Sequence, residues 1–348
     1  MNPMLLPLSW LYCAAVAARN AAFDLGLLHQ NDAGVPVISV GNMTAGGTGK
    51  TPLTGYCVEL LLARGMHPSV VSRGYGRRSR GVVIVAQNGV IAVNAAQGGD
   101  EPVQLARRYP RASVVVGERR AAAAAVAVQQ CGTDVIVMDD GFQHRYLRRN
   151  ADIVALDARR DIRHEPMLPA GMRREWLKGL CRASLLVFTR CERNGLPAWS
   201  GELSPALAGR MAGCRFRIDG FSAIPGGATT TPAGPVVAFS GIANHAEFVR
   251  SLAEAGVVVG ADRGFPDHHW YTKDEIAGVA ALARNTGAAA VVTTEKDLVR
   301  LDADPAVEEE LLRGPAPMAA RLAANMVEGG DLLEKVIEDC LKGEEQSW

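Results

Sequence analysis

The sequence predicts an α/β protein with a mostly parallel sheet core and a second, smaller α/β lobe. Short β-branched runs alternate with helical patterns along most of the chain, as in proteins with parallel sheets. A second series of strand and helix signals begins after residue 235. The chain has 348 residues, more than one core usually serves, and its 48% apolar content is enough for a sizeable interior.

The overall charge is balanced, with 37 basic and 37 acidic residues. Nucleic-acid binders normally carry a basic excess, so no nucleic-acid partner is expected. The seven cysteines show neither a Cys-x-x-Cys motif nor zinc-like spacing with histidine, which is typical of reduced thiols in a cytosolic protein. No feature of the sequence indicates an obligate protein partner.

Residues 1–30 form the most apolar stretch and are predicted to be a separate N-terminal helix. The uncharged part, Met4 to Ala18, is shorter than the ~20 residues of a membrane-spanning helix. A signal peptide would require basic residues ahead of its apolar run, and none precedes this one. The helix could lie on a bilayer surface, with Trp10 and Tyr12 as anchors, or pack on its own domain. Its apolar residues at helical spacing are Leu8, Leu11, Tyr12, Ala15, Ala18 and Ala22.

The strand and helix signals begin after residue 34. The first helix is expected to open at Thr51-Pro52, with proline in its first turn, and to end at Gly65. Further helices are predicted over 119–130 and 246–255. The predicted strands are 35–40, 69–72, 82–86, 113–116, 135–138, 153–156, 185–188, 236–239 and 288–292.

The segment 198–235 is rich in Gly, Pro, Ser and Thr, and a domain boundary is predicted near residue 215. The predicted units are an N-terminal helix (1–30), a core (31–215), a second lobe (216–327) and an amphipathic C-terminal helix with a polar end (328–348).

The sharpest motif is the Gly-rich segment between the first predicted strand and helix, GNMTAGGTGKTP, residues 41–52. This context predicts a phosphate loop, whose backbone N–H groups and helix N-terminus bind phosphate oxygens. Lys50 would reach the β- and γ-phosphates, and the Thr51 hydroxyl would bind Mg²⁺. The usual first glycine is replaced by Thr44, and the predicted nucleotide-binding residues are Thr44, Gly46, Gly47, Thr48, Gly49, Lys50 and Thr51. The core is therefore predicted to be phosphate-loop NTPase-like.

A buried-type strand, VIVM at 135–138, ends in the carboxylates Asp139 and Asp140. In phosphate-loop enzymes such a strand delivers an aspartate to the Mg²⁺ site. Adjacent residues on a strand point in opposite directions, so spacing leaves open which aspartate touches the metal.

Two further loops carry polar groups that could belong to the site. The segment 72–78 combines arginines with glycines and indicates either a grip on an anionic headgroup or a solvated basic turn. Asp100 and Glu101 precede a helix, where one of them could cap that helix or act as a general base for an acceptor hydroxyl.

Residues 265–271 contain the one dense histidine cluster, His268-His269. Adjacent histidines seldom bind one metal together, so a zinc site is not predicted, and a proton relay beside a carboxylate is the alternative. The segment TTEKD, 293–297, follows a strand, where it could contact a ligand or form a buried salt bridge.

Taken together, these segments resemble the tetraacyldisaccharide 4′-kinase family, the lipid A 4′-kinases of Gram-negative bacteria. The matching blocks occur in the family's order: SVGNMTAGGTGKTP (39–52), SRGYGR (72–77), GDEP (99–102), DDGFQH (139–144), LPAG (168–171) with Arg173–Glu175, FSGIAN (239–244), FPDHHWYT (265–272) and TTEKD (293–297). The block at 173–175 departs from the family's LREP, which leaves the role of Glu175 open.

The resemblance implies transfer of the ATP γ-phosphoryl group to the 4′-hydroxyl of an acylated glucosamine disaccharide 1-phosphate, giving lipid IVA. It also implies Mg²⁺, two α/β lobes around a cleft, and peripheral attachment to the cytoplasmic face of the inner membrane through the N-terminal helix. Acyl-chain preference, oligomeric state and the extent of lobe closure do not follow from it.

The resemblance also implies residue roles. Asp100 would be the base for the 4′-hydroxyl, with His268 as its charge partner across the cleft, and Lys50 would act on the phosphates. Thr51, Asp139 and Asp140 would form the metal environment. The residues implied around the sugar or the phosphates are Arg73, Tyr75, Glu101, Gln143 and His144.

Two other classes of protein share such a loop. Dimeric nucleotide switches would hydrolyse nucleotide with a partner's stimulation, although many carry a lysine where this chain has Thr44. A membrane-associated nucleotide sensor would bind ATP tightly and transfer its phosphate to no acceptor.

Overall fold

A computed structural model describes residues 3–192, 195–224 and 231–343, and its strands form one mixed sheet of 13 strands. In chain order these strands are β1 Val37–Asn42, β2 Pro68–Ser72, β3 Val83–Gln87, β4 Val90–Ile91, β5 Ser113–Val116, β6 Val135–Asp139, β7 Ala151–Asp157, β8 Leu185–Thr189, β9 Met211–Ala223, β10 Val236–Ser240, β11 Val259–Gly264, β12 Ala290–Thr294 and β13 Pro317–Glu328.

The α-helices flank the sheet. In chain order they are α1 Leu6–Asp24, α2 Lys50–Ala63, α3 Ala95–Gly98, α4 Asp100–Arg108, α5 Arg120–Cys131, α6 His245–Glu254, α7 Lys273–Asn285, α8 Glu295–Leu301, α9 Pro305–Leu312 and α10 Gly330–Lys342.

The strand order is β11-β10-β12-β13-β9-β8-β7-β1-β6-β2-β5-β3-β4. Paired strands run parallel except β3 with β4, β3 with β5, and β9 with β13. The long antiparallel pair β9 and β13 lies between two parallel groups, since β9 begins beside β8 and β13 begins beside β12. The predicted α/β class with a mostly parallel sheet is therefore confirmed.

Helices cover both faces of the central strands because successive strand residues point to opposite faces. On one face, Ile38 of β1 packs in the same cluster as Leu53 of α2 and Leu333 of α10. On the other face, Val37 packs with Ala123 of α5. Further clusters of buried residues surround β10 and β12.

All nine predicted strands and the three predicted helices are present, with small shifts at their ends. Within the segment rich in Gly, Pro, Ser and Thr, residues 211–223 form β9, a strand that was not predicted, and position 215 lies inside it. Residues 225–230 lie outside the described residues. The sequence of β9 contains small and polar residues rather than a β-branched run. Its strand conformation depends on antiparallel pairing with the distant, alanine-rich β13.

The N-terminal helix α1 packs on the protein with one face only. Ser9, Cys13, Val16 and Phe23 are buried, whereas Leu8, Trp10 and Leu11 are exposed. Tyr12 is partly buried, and its hydroxyl donates a hydrogen bond to the Arg174 carbonyl oxygen at 2.9 Å. Within the described ranges, no helix has the length and apolar character to cross a membrane.

The amphipathic helix predicted at the C-terminal end is present as α10, while residues 344–348 lie outside the described residues.

Leu333 of this helix is fully buried. We expect Leu333→Ala to lower the free energy of unfolding by about 2–5 kcal/mol, because it leaves a cavity between α10 and the sheet. Urea unfolding checks this. Lys335→Ala, on the exposed side of α10, is the control and should change the value by less than about 0.5 kcal/mol.

Candidate active site

The polar motifs meet at one edge of the sheet because parallel strands bring their carboxyl ends to the same side. The Gly-rich loop follows β1, Asp139 ends β6, and the arginine-containing segment follows β2. The FSGIAN and TTEKD segments occupy the ends of β10 and β12.

Two glycines of the loop are required by close contacts. A Cβ atom on Gly41 would lie 2.5 Å from the Cβ of Phe142, so β1 can approach the DDGFQH segment only with glycine there. Gly49, the residue before α2, has φ 79°, and a Cβ atom would lie 2.1 Å from the ring of Phe216. Gly49 therefore fixes both the left-handed turn into the helix and the packing of β9 on the loop.

Buried polar side chains hold the loop from inside. The Asn42 amide donates to the Thr44 carbonyl oxygen at 2.6 Å and to the Thr48 hydroxyl at 2.9 Å. The Thr189 hydroxyl of β8 donates to the Thr48 carbonyl oxygen at 2.8 Å. Thr44 and Thr48 are both buried, so their side chains support the loop instead of facing the solvent.

The open side of the loop presents Gly46, Gly47 and the start of α2. Since α2 begins at Lys50, the N–H groups of Lys50 and Thr51 have no carbonyl partner within the helix. Lys50 Nζ lies 3.6 Å from Asp140 Oδ1. Backbone donors, a helix N-terminus and a lysine thus converge where an anion such as a phosphate can bind.

Arg190, which sequence reasoning did not single out, connects this loop to α6. Its guanidinium donates to the Gly47 carbonyl oxygen at 2.9 Å and to Glu247 of α6 at 2.8 Å. Its backbone is left-handed, with φ 57°, as it is at Asp140 and His268. Strained backbone conformations are thus concentrated around this site.

The two aspartates after β6 have different surroundings. Asp139 is buried and accepts a hydrogen bond from the Thr54 hydroxyl at 2.9 Å. Burial, reinforced by the Glu101 carboxylate, raises the pKa of Asp139 to about 7. Asp140 faces Lys50 and accepts from Arg174 Nη1 at 2.8 Å; burial opposes ionisation, but these two cations hold the pKa of Asp140 below its usual value.

The residues predicted for Mg²⁺ have suitable chemistry. Thr51, Asp139 and Asp140 supply oxygen atoms, the donors that Mg²⁺ prefers. Burial and, after it, the Glu101 carboxylate raise the pKa of Asp139, and a bound cation would favour its ionised form. Within the described part of the chain, no three His, Cys, Asp or Glu residues form a metal cage. Mg²⁺ at phosphate sites needs only one or two carboxylates, with the phosphates completing its coordination.

Asp100 and His268 are in direct contact, as the resemblance implied. His268 Nδ1 lies 2.9 Å from Asp100 Oδ2. Asp100 is the first residue of α4, and Gly99 rather than a carboxylate occupies the cap position. Although burial opposes ionisation, the hydrogen bond from His268 and the charge of Lys296 hold the pKa of Asp100 below its usual value. Asp100 is therefore ionised at neutral pH.

Lys296 completes this group and was not among the predicted site residues. Its Nζ lies 3.2 Å from His268 Nε2 and 3.4 Å from Glu101 Oε1. Because an ammonium only donates, Nε2 accepts, and the His268 proton is on Nδ1, directed at Asp100. The signal for Lys296 was the TTEKD segment at a strand end, one of the positions where α/β folds hold ligands.

The TTEKD segment, for which the sequence left open a ligand contact or a buried salt bridge, also forms such a salt bridge. Asp297 accepts from Arg300 at 2.6 Å and from the Tyr271 hydroxyl at 2.7 Å. Asp297 also accepts from the Gly241 amide at 2.9 Å, while the Gly241 carbonyl oxygen accepts from the His268 amide at 3.1 Å. This network therefore fixes the backbone of His268. The neighbouring His269 contacts a different carboxylate, Glu275, at 3.0 Å.

Gln143 and Glu175 lie under the phosphate loop. Gln143 donates to the Asn42 carbonyl oxygen at 2.9 Å and to Glu175 Oε1 at 3.0 Å. Glu175 is buried and also accepts from Arg182 at 2.8 Å and from Asn20 of α1 at 3.2 Å. Glu175, whose role the sequence left open, thus links α1 to the base of the loop.

The remaining predicted residues lie around the opening. Burial, together with nearby arginines, first of them Arg120, lowers the pKa of His144 to about 4, so that its ring is neutral at neutral pH. Tyr75 is exposed, and its ring centroid lies 5.9 Å from that of His268. Arg73 is exposed on the same loop.

The chain is similar to known proteins over nearly all of its length. The family model LpxK, tetraacyldisaccharide-1-P 4′-kinase, matches residues 1–337. The tetraacyldisaccharide 4′-kinase of Anaeromyxobacter sp. (strain Fw109-5) is 41% identical, covering 96% of this chain and 94% of that protein. The corresponding protein of Chlorobium luteolum is 38% identical, covering 97% of both chains.

A solved structure is also similar. The crystal structure of LpxK from Aquifex aeolicus in complex with ATP superimposes with a TM-score of 0.77 at 30% identity, covering 97% of this chain and 98% of that one. This similarity extends over the whole phosphate-loop core and the second group of strands. The chain therefore belongs to the tetraacyldisaccharide-1-P 4′-kinase family and is a phosphotransferase.

Proposed function

We propose that the protein transfers the γ-phosphoryl group of ATP to the 4′-hydroxyl of tetraacyldisaccharide 1-phosphate, giving lipid IVA in lipid A biosynthesis. The observation that supports this most directly is the 2.9 Å contact between Asp100 and His268 at the sheet edge that carries the phosphate loop. A carboxylate so placed serves an acceptor hydroxyl, which a simple nucleotide sensor does not need.

In this proposal the loop binds the nucleotide. The amides of Gly46, Gly47 and Gly49 and the first turn of α2 contact the β- and γ-phosphates, and Lys50 neutralises charge on the transferred group. Mg²⁺ would be held by Thr51 with Asp139 and Asp140. When bound, it supplies charge neutralisation for the phosphates.

Asp100 acts on the acceptor. Its carboxylate accepts the proton of the 4′-hydroxyl while the oxygen bonds to the γ-phosphorus and the bond to the β–γ bridging oxygen breaks, releasing ADP. Phosphoryl transfer has a loose transition state, so positioning of the hydroxyl matters more than a strong base, and an ionised Asp100 of low pKa is adequate. His268, held by Lys296 and Gly241, orients the carboxylate. Arg73, Tyr75, Gln143, His144 and Glu101 surround the sugar or the phosphates.

The proposal retains two lobes, residues 31–215 and 216–327, joined through β9 and β13. The hydrophobic clusters around β10 and β12 are distinct from those that pack against β1, which suits two bodies that can move relative to each other. Closure of the cleft would exclude water from the γ-phosphate.

We also propose that the protein works at the cytoplasmic face of the inner membrane, attached peripherally. The exposed apolar residues of the N-terminal region support this: Met4, Leu8, Trp10, Leu11, Leu25 and Leu27 are each more than half exposed. A helix with such a face can lie in the headgroup region of a bilayer next to a lipid substrate.

The test uses γ-labelled ATP, Mg²⁺ and detergent-dispersed tetraacyldisaccharide 1-phosphate. Label is expected to enter the lipid in proportion to the amount of enzyme. Label released as free phosphate, with or without lipid, would instead identify a nucleotide hydrolase. Tight ATP binding without transfer would identify a nucleotide sensor.

Lys296 offers a prediction on pH dependence. Because its charge lowers the pKa of Asp100, Lys296→Met should raise that pKa, so the acidic limb of the kcat/KM profile moves to higher pH. At neutral pH we expect kcat to fall about 10- to 100-fold, as for loss of a hydrogen bond to a charged group. Lys296→Arg keeps the charge and should restore the profile at least in part. Lys273→Met, at an exposed ion pair, is the control. An unshifted profile in Lys296→Met would remove Lys296 from the mechanism.

A further inference from the structure

Two consecutive carbonyl groups of the phosphate loop are held by two consecutive residues at the end of β8. The Thr189 hydroxyl donates to the Thr48 carbonyl oxygen at 2.8 Å, and Arg190 Nη1 donates to the Gly47 carbonyl oxygen at 2.9 Å. A loop binds phosphate through its N–H groups, so its carbonyl oxygens, which would repel the anion, have to point elsewhere. The function proposed above uses the loop but gives Arg190 no role.

The backbone conformation of Arg190 allows both side chains to reach the same loop. Successive residues of an extended strand point to opposite sides, so neighbouring side chains do not normally contact one segment. Arg190 directly follows β8 and has φ 57°, a left-handed conformation that is strained for a residue with a side chain. This turn ends the alternation of the strand and directs Arg190 to Gly47 beside Thr189.

The Gly47 peptide has little support apart from this contact. A Cβ atom on Gly47 would meet no atom within 4 Å, so the space beside it is open. Gly46 precedes it, and two adjacent glycines form the most flexible backbone that a chain can have. In the described part of the chain, the Gly47 carbonyl oxygen accepts a hydrogen bond from Arg190 alone. Arg190 is therefore the group that restricts the orientation of this peptide.

The guanidinium of Arg190 is itself fixed by two carboxylates. Its Nε donates to Glu247 of α6 at 2.8 Å, and its Nη1 donates to Asp157 at the end of β7 at 3.2 Å. Asn244, the last residue of the FSGIAN block, caps α6, and its amide donates to Glu247 at 3.2 Å. The FSGIAN block is thus connected to the phosphate loop through Glu247 and Arg190.

Resting on the proposed function, we propose that Arg190 is a positioning residue for the phosphate donor, which holds the Gly47 carbonyl oxygen away from the nucleotide and takes its own position from Glu247. A loop that is ordered in advance loses less conformational freedom on binding, so its affinity for ATP is higher. Because Arg190 acts on the loop, it contributes to the binding of ATP and not to that of the lipid. The affinity for ATP therefore depends on the contact between α6 and the loop.

The experiment measures the Kd of ATP with Mg²⁺ by calorimetry without lipid, and then the KM of each substrate. Arg190→Met preserves the length of the side chain and removes its donors. We expect the Kd and KM for ATP to rise about 10-fold, as for loss of a hydrogen bond from a charged group, while the KM for lipid changes less than about twofold.

Arg159→Met is the matched control for charge and stability. Arg159 contacts the same two carboxylates as Arg190, Asp157 at 3.0 Å and Glu247 at 3.3 Å. Among the described residues, it forms no hydrogen bond or ion pair with the phosphate loop. Its Kd for ATP should therefore equal that of wild type. An equal loss in both variants, or no loss in Arg190→Met, would overturn the inference.

Glu247→Gln tests how Arg190 acts. It should also weaken ATP binding, and the double variant with Arg190→Met should bind little more weakly than Arg190→Met alone, because the two residues act as a unit. Unchanged or tighter binding by Glu247→Gln would refute the proposal, since a released Arg190 would then bind the phosphates directly. Should Arg190→Met fail to fold, Glu247→Gln, which leaves Arg190 in place, decides by itself. Wild type that binds ATP but transfers nothing to lipid would refute the proposed function and not the role of Arg190.

Discussion

Asp100→Asn is expected to reduce kcat at least ~100-fold, the scale of a general-base group. The substitution preserves the size of the side chain but removes the charge that accepts the hydroxyl proton and pairs with His268. The KM for ATP should change little, because Asp100 does not belong to the phosphate loop. Steady-state kinetics with saturating lipid measure the effect. Glu59→Gln, on the exposed side of α2, is a control with the same chemical change.

A double variant tests whether Asp100 and His268 act as a unit. His268→Ala should also lower kcat, and the double variant should lose little more than Asp100→Asn alone, because residues that act as a unit are not additive. Losses that simply multiply would show that the two residues act separately. An Asp100→Asn enzyme with nearly full activity would exclude the carboxylate as the base.

Lys50→Ala is expected to reduce kcat by at least ~100-fold as well, through loss of electrostatic stabilisation of the transferred phosphoryl group. Lys50 is positioned at the first residue of α2 and lies 3.6 Å from Asp140. Lys50→Arg should not restore activity, since a planar guanidinium cannot replace a compact ammonium within a tight loop. Label transfer to the lipid measures the loss.

A measurement of stability shows whether Lys50→Ala loses activity through loss of charge or through loss of folding stability. Urea unfolding of Lys50→Ala should match wild type closely, because the Lys50 side chain packs in no hydrophobic cluster and Asp140 keeps its ion pair with Arg174 when Lys50 is removed. Full activity of Lys50→Ala would contradict the phosphate-loop assignment. Loss of activity together with a large loss of stability would make the activity result uninformative on charge, and Lys50→Met, which preserves the length of the side chain, would then replace it.

Local pattern predicted the strands of the core well. Runs such as Val135–Met138 are buried on both faces of a parallel sheet and are therefore continuously apolar, a signal that survives without tertiary information. β9 and β13 were missed for the opposite reason. Alanine, glycine and arginine in these segments have no strong strand preference, and pairing between residues about 100 positions apart decides their conformation.

The candidate site also contains residues that local sequence pattern indicated and residues that it did not. The phosphate loop and the strand ending at Asp139 are contiguous motifs, so the sequence indicated their chemistry directly. The pairing of Asp100 with His268 came from family resemblance and not from spacing, because 168 positions separate the two residues. Arg190 was missed because an isolated cation after a strand has no local signature, whereas the TTEKD segment marked the position of Lys296 but not its contact with His268.

The sequence by itself determined the fold class, the phosphate loop and the family, because each depends on short ordered segments whose chemistry is local. Only the tertiary structure decided which charges face one another. It placed Lys296 beside His268, Glu175 under the loop and Tyr12 against Arg174. The physical reason is that hydrogen bonds and ion pairs act over a few ångströms, and only the folded sheet brings such distant residues within that range.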